Sequence, residues 1–218
     1  MKLHALKFIP LAAFLIFLSC KKDENKNFIL MGKVNDARTG GPMSGVNILL
    51  EQQVLEGGNF GGFYTTAAEE TTDGSGHFHL EWENKNIVEA RVTASFPGYV
   101  SRSYDINVAS LAPGKEVTQN LELFPEAFIS VRAIKSGVQP NASQFNFRFE
   151  NAIFDCLCCN NDWRTYNSAV NDSTFTCRVY GDTWLKYRYE VLSSPTDLLL
   201  RDSIYCPRGL TSNLEINW

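Results

Sequence analysis

Apolar and polar residues alternate along this chain in short runs, as in His77-Phe78-His79-Leu80-Glu81-Trp82 and Leu185-Lys186-Tyr187-Arg188-Tyr189-Glu190-Val191. A period of two belongs to a half-buried β-strand, whose side chains point to opposite faces in turn. Helical periodicity is scarce past residue 19, and Gly, Pro, Asn and Asp break the runs where turns are needed. Such a chain hides its apolar stripes by packing sheet on sheet. The expected fold class is therefore all-β, with two β-sandwich domains in series.

The first block runs over residues 28–125. Its strands read as Phe28 to Asp36, Val46 to Glu51, a restart after the turn Asp73-Gly74-Ser75-Gly76, and the stretches Glu89 to Val108 and Lys115 to Phe124. The second block covers 126–218. In it Ile129, Val131 and Ala133 share a side, Phe145, Phe147 and Phe149 oppose Asn146 and Arg148, and Leu214, Ile216 and Trp218 share a side.

Ahead of these blocks, residues 1–19 have the parts of a secretory signal: Lys2 and Lys7, an apolar run from Phe8 to Leu18, then Ser19. The run is too short for a membrane-spanning helix, which needs about 20 residues. Leu18-Ser19-Cys20 resembles the lipobox of bacterial lipoproteins, and that resemblance implies cleavage before Cys20 and acylation of its thiol. Residues 20–27 then form a charged tether in which Lys22, Asp23 and Glu24 resemble the surface-export signal of Bacteroidota-type lipoproteins. The expected location is the outer membrane, lipid-anchored, at the cell surface. The competing reading is a generic solvated tether on a periplasm-facing accessory subunit of a transport complex.

Removing 19 of 218 residues leaves 199, with 18 basic against 24 acidic side chains and a formal charge of −6. That balance argues against nucleic acid as a partner. The expected partners are the membrane, through the lipid, and a protein or glycan.

Within the first block, "GKVNDARTGGPMSGVNILLE", "TTDGSGHFHL" and "VTASFPGYVS" resemble the carboxypeptidase regulatory-like domain, through Gly32 with Val34, Pro42, Gly45-Val46, Asp73, Gly76, Phe78 and Gly98-Tyr99. The resemblance implies a transthyretin-like, seven-stranded, non-catalytic sandwich.

Little else suggests chemistry. After His4 leaves with the signal only His77 and His79 remain, and with Glu81 they share one strand face. Two imidazoles and a carboxylate are zinc-ligand types, but a plain solvated face explains the pattern equally, and no metal or cofactor is expected. No nucleophile elbow, zinc-helix or phosphate-loop pattern occurs. The chain is read as a non-enzyme, with a hydrolase as the lesser alternative.

Cys156, Cys158, Cys159, Cys177 and Cys206 all lie in the second block, and outside the cytoplasm they are disulfide candidates. Cys177 alternates with Phe175 and Val179 and is the preferred partner for one of the cluster. Trp163, Tyr166, Trp184, Tyr187 and Tyr189 read chiefly as core, with ring stacking on a sugar or protein as the alternative. Ser173 and Ser203, in Asp-Ser-Thr and Asp-Ser-Ile, match the Bacteroidota O-glycosylation triplet.

Overall fold

The structure, a computed structural model, describes residues 27–56, 59–60, 62–139, 141–151 and 159–218. The expected signal, Cys20, the Lys22-Asp23-Glu24 stretch, Cys156 and Cys158 lie outside the described residues. Apart from one 3-10 turn at Val108–Ser110, the regular structure among them is strand. The strands are β1 (Asn27–Asp36), β2 (Asn47–Glu56), β3 (Asn59–Phe60), β4 (Thr65–Thr71), β5 (His77–Glu83), β6 (Ile87–Ser95), β7 (Tyr99–Val100) and β8 (Arg102–Ile106). They continue as β9 (Glu116–Thr118), β10 (Leu121–Ile134), β11 (Ala142–Phe149), β12 (Arg164–Asn167), β13 (Asp172–Tyr180), β14 (Thr183–Ser193), β15 (Leu198–Cys206) and β16 (Thr211–Asn217).

Buried side chains fall into two clusters. The first draws on Phe28, Leu30, Val34, Ile48, Leu50, Leu80, Val92 and Leu121, among others between residues 28 and 123. Around it, β2 pairs with β4 on one side and β6 on the other, and β6 pairs with β8. Facing that sheet, β1 pairs antiparallel with β5 and parallel with β9 and then β10. Strict alternation in β1 and β5 puts every second residue in the core, each large apolar side chain contributing about 1.5–3 kcal/mol on full burial.

The second cluster is aromatic. Phe145, Phe147, Phe149 and Trp218 are fully enclosed, with Phe145 stacked on Trp218 at 5.4 Å and Phe147 edge-on to Phe149 at 5.0 Å. One side is the sheet β13–β10–β16, in which β13 is antiparallel and β16 parallel to β10. The other is the antiparallel sheet β12–β11–β14–β15.

Strand β10 belongs to both halves. Leu121–Leu123 pair with β1, Phe124 and Pro125 with β7, and Glu126 onward with β13. The boundary expected between residues 125 and 126 therefore falls inside one unbroken strand. Pro125 reads as a breaker because it lacks an N–H. It sits where β10 changes partners, and its carbonyl still accepts the Gly181 N–H. Strand β12 also forms where the sequence alone points to loop, since residues 160–172 are polar and lack sustained alternation.

A polar knot closes the junction beside Pro125. The Asp36 side chain, 7% exposed, accepts from Tyr99 Oη at 2.8 Å, the N–H groups of Arg38 (2.7 Å) and Thr39 (3.1 Å), and Arg208 Nη1 at 2.9 Å. Arg208 also grips Asp182, through its backbone N–H at 3.0 Å and its Nε. Burial pushes Asp36 up, but the donors from Tyr99, Arg38, Thr39 and Arg208 outweigh it and hold the carboxyl at about 2. Phe124 and Tyr180 stack at 4.4 Å alongside. Gly181 is required here, because a Cβ would stand 2.8 Å from Arg208 Cα and 3.0 Å from the Glu126 carbonyl.

Candidate functional site

Strand β5 places His77, His79 and Glu81 outward and Phe78, Leu80 and Trp82 in the core. It is an edge strand, and two of its outward N–H groups are met by carboxylates: His77 N donates to Asp73 Oδ1 at 2.9 Å and His79 N to Glu70 Oε2 at 2.6 Å. The N–H groups of His77 and Ser75 lower the Asp73 pKa. Occupied in this way, the edge is a poor template for another strand.

On β1, Met31 and Lys33 stand opposite His79 and His77, and these residues with Glu70 and Asp73 line a groove of about 530 Å³. Its floor depends on Gly32. There β9 gives way to β10, Gln119 N bonds Met31 O at 2.9 Å, and Asn120 Oδ1 accepts from Lys33 N at 3.1 Å. A Cβ on Gly32 would lie 1.9 Å from the Gln119 carbonyl.

The groove does not gather ligands around a point. Residues two apart along a strand are separated by roughly 6.5 Å, and Glu81 is turned to Asn27 Nδ2 at 3.0 Å. Among the described residues no group of three or more His, Cys, Asp or Glu side chains is placed to hold a metal ion.

Cys159 and Cys177 form a disulfide with Cα atoms 5.5 Å apart, closing a sequence separation of 18 residues. It joins the segment ahead of β12 to the middle of β13, and Cys159 N also bonds Arg178 O at 3.0 Å. Cys206, a disulfide candidate by sequence, is instead a free thiol. It is fully enclosed in the distal core at the end of β15, where burial pushes its pKa up and disfavours the reactive thiolate. Ser173 sits in β13 on the face of Phe175, Cys177 and Val179, half-buried, with Asp172 engaged by Arg132. Ser203 lies in β15 opposite Lys186.

The outer face of β12–β11–β14–β15 carries the exposed rings. Trp184 (59% exposed) and Tyr205 are register partners, with ring centroids 5.5 Å apart. Trp163 packs against the guanidinium groups of Arg148 and Arg188, register partners on β11 and β14, at 4.9 and 5.2 Å from its centroid. Arg188 also pairs with Glu190, and Arg201 Nε with Glu150 Oε1 at 3.3 Å. The aromatics read as core thus divide. Tyr187 is buried and Tyr166 and Tyr189 pack on the core, whereas Trp163 and Trp184 face water. Trp184 is in phase with Lys186, and that phase was the available signal. Tyr205, in phase with Ser203, was missed. A sheet face with held rings and nearby amides and guanidinium groups is suited to stacking and directed hydrogen bonds.

No protein-family model matches the chain, and no curated protein matches it. Among solved structures, it is similar to shaft pilin SpaA from Lactobacillus rhamnosus GG at 11% identity, over 88% of this chain and 97% of the pilin, with TM-score 0.32. A streptococcal ancillary pilin aligns at 12% identity over 89% of this chain and 63% of its own, TM-score 0.32. The 3-chlorocatechol 1,2-dioxygenase from Rhodococcus opacus 1CP aligns at 17% over 47% and 61%, TM-score 0.32. Resemblance at this level transfers no function.

Proposed function

We propose that this chain is a non-catalytic display module, anchored through an acylated Cys20 on the outer membrane, that holds its distal sheet away from the bilayer for a protein or glycan partner. The observation that carries this reading is β10. It enters the first core beside β1, leaves it beside Asp36, and continues as the central strand of the distal sheet. With Asp36, Arg208 and Asp182 closing the junction, the N-terminal unit acts as a stiff spacer. The outer face bearing Trp184, Tyr205 and Trp163 is then the surface offered.

Full-length protein crosslinked in intact outer membrane and then purified tests the proposal. A partner recovered with the parent chain is expected to be lost from Trp184→Ala and Tyr205→Ala chains that remain folded, and equal recovery overturns the assignment of the face. Protease access on whole cells, before and after replacing Lys22, Asp23 and Glu24 with alanine, tests the surface location. Display that survives the replacement overturns Lys22, Asp23 and Glu24 as the export signal.

A further inference from the structure

Among the described residues of the first core, the exposed large apolar side chains are Leu55, Phe63 and Val88, and Phe63 is 82% exposed. They share one pole. Leu55 lies near the end of β2, with its N–H bonded to Asn86 O at 2.8 Å, and Val88 lies at the start of β6. Phe63 precedes Tyr64, whose hydroxyl donates to Glu89 Oε2 at 2.9 Å. The chain enters the fold at this same pole: Asn27 pairs with Glu83, and its carbonyl accepts from Gly114 N at 2.9 Å.

The length of chain ahead of Asn27 limits what this pole can meet. Seven steps along the sequence separate Cys20 from Asn27, so a fully extended tether reaches about 25 Å. Strand β1 alone is roughly 33 Å long at ten residues. Whatever holds Cys20 therefore keeps this pole, and not the distal one, beside it.

We propose that Leu55, Phe63 and Val88 rest on the lipid surface into which the Cys20 acyl chains insert, so that the N-terminal unit stands on the bilayer by a fixed pole. The inference rests on the reading of Cys20 as acylated. Apolar side chains held at that distance seat at the boundary between headgroups and acyl chains. The charges around them lean acidic: Glu56 adjoins Leu55 and Glu89 adjoins Val88, while Glu83 pairs with Lys85 at 3.5 Å and Lys115 adjoins Glu116. The contact is accordingly apolar, not drawn to anionic headgroups, and resistant to salt.

The test uses the full-length processed protein in phosphatidylcholine vesicles, with an environment-sensitive fluorophore at Phe63→Cys and, in a second chain, at the exposed distal residue Val138→Cys. The parent chain controls for labelling of Cys206. The label at 63 is expected to shift to the blue and lose emission to lipid-borne quencher, in low and high salt alike, while the label at 138 does neither. Mass spectrometry of the N-terminus is read on the same samples. An acylated N-terminus with a water-exposed label at 63 overturns the docking and leaves the anchor standing. An unmodified Cys20 overturns the anchor, and the docking with it. A label at 63 buried only after outer-membrane proteins are added assigns the pole to a protein and overturns the proposal.

Discussion

The two halves of the molecule obey the same period of two but treat their leftover apolar surface differently. In the N-terminal half, exposed large side chains collect at the pole where the chain enters. In the distal half they include a broad sheet face, where Trp184 and Tyr205 lie side by side and Trp163 packs against two arginines. The cysteines follow the same division, with none between residues 28 and 125 and five beyond. The N-terminal half has ordinary aliphatic packing over two sheets. The distal half builds its core from large rings and adds a covalent clamp. A half proposed to act as a spacer needs only to keep its shape, whereas one proposed to bear a recognition surface must hold ring faces in water without rearranging.

Emptying the distal core should set the two halves furthest apart. Phe145→Ala is expected to cost about 3–5 kcal/mol, since it leaves a cavity against Trp218 and Tyr189. In urea it should separate an early distal transition from a later N-terminal one. A single shared transition would mean that β10 makes the halves one cooperative unit. Cys177→Ser follows, at about 3 kcal/mol for a loop of this length. Hydrogen exchange should show the loss confined to β12, β13 and their neighbours, and equal loss in β1 and β2 would contradict the division.

Next in size is Asp36→Asn, at about 2 kcal/mol, the worth of lowering a carboxyl from 3.8 to about 2. The sign is fixed because the folded state favours the deprotonated carboxylate. The advantage of the parent over Asp36→Asn should be complete above pH 4 and fade as pH falls toward 2, followed by thermal melting. A difference unchanged across that window would show that the charge contributes nothing. The smallest effect is expected from Trp184→Ala, within about 0.5 kcal/mol in stability, because the ring is held on the surface. A large drop in melting temperature would make Trp184 a structural residue and leave the display face without its main ring.

The alternation of β5, β11 and β14 was fully legible in the sequence, because each strand buries one face only. The junction was not. Asp36 reads as the last residue of a strand, and 172 positions of sequence separation hide its contact with Arg208. Pro125 has no N–H to give a ladder, yet β10 runs through it because the partner strand changes at that residue. The face of His77, His79 and Glu81 was readable, but Glu70, which crosses to β5 from β4, was not. Cys206 shows that composition identifies the cysteines while only the fold decides which sulfurs meet.

The parallel pairing of β1 with β10 has a mechanical corollary. A pull between Asn27 and the far sheet slides these two strands lengthwise against each other, so the hydrogen bonds joining them are strained together and do not unzip in turn. Load applied at Asn27 passes from β1 across these hydrogen bonds into β10 and on to the distal sheet. Single-molecule stretching from Asn27 and Trp218 should therefore meet a higher rupture force than stretching across β14 and β15, and equal forces would deny the molecule this directional toughness.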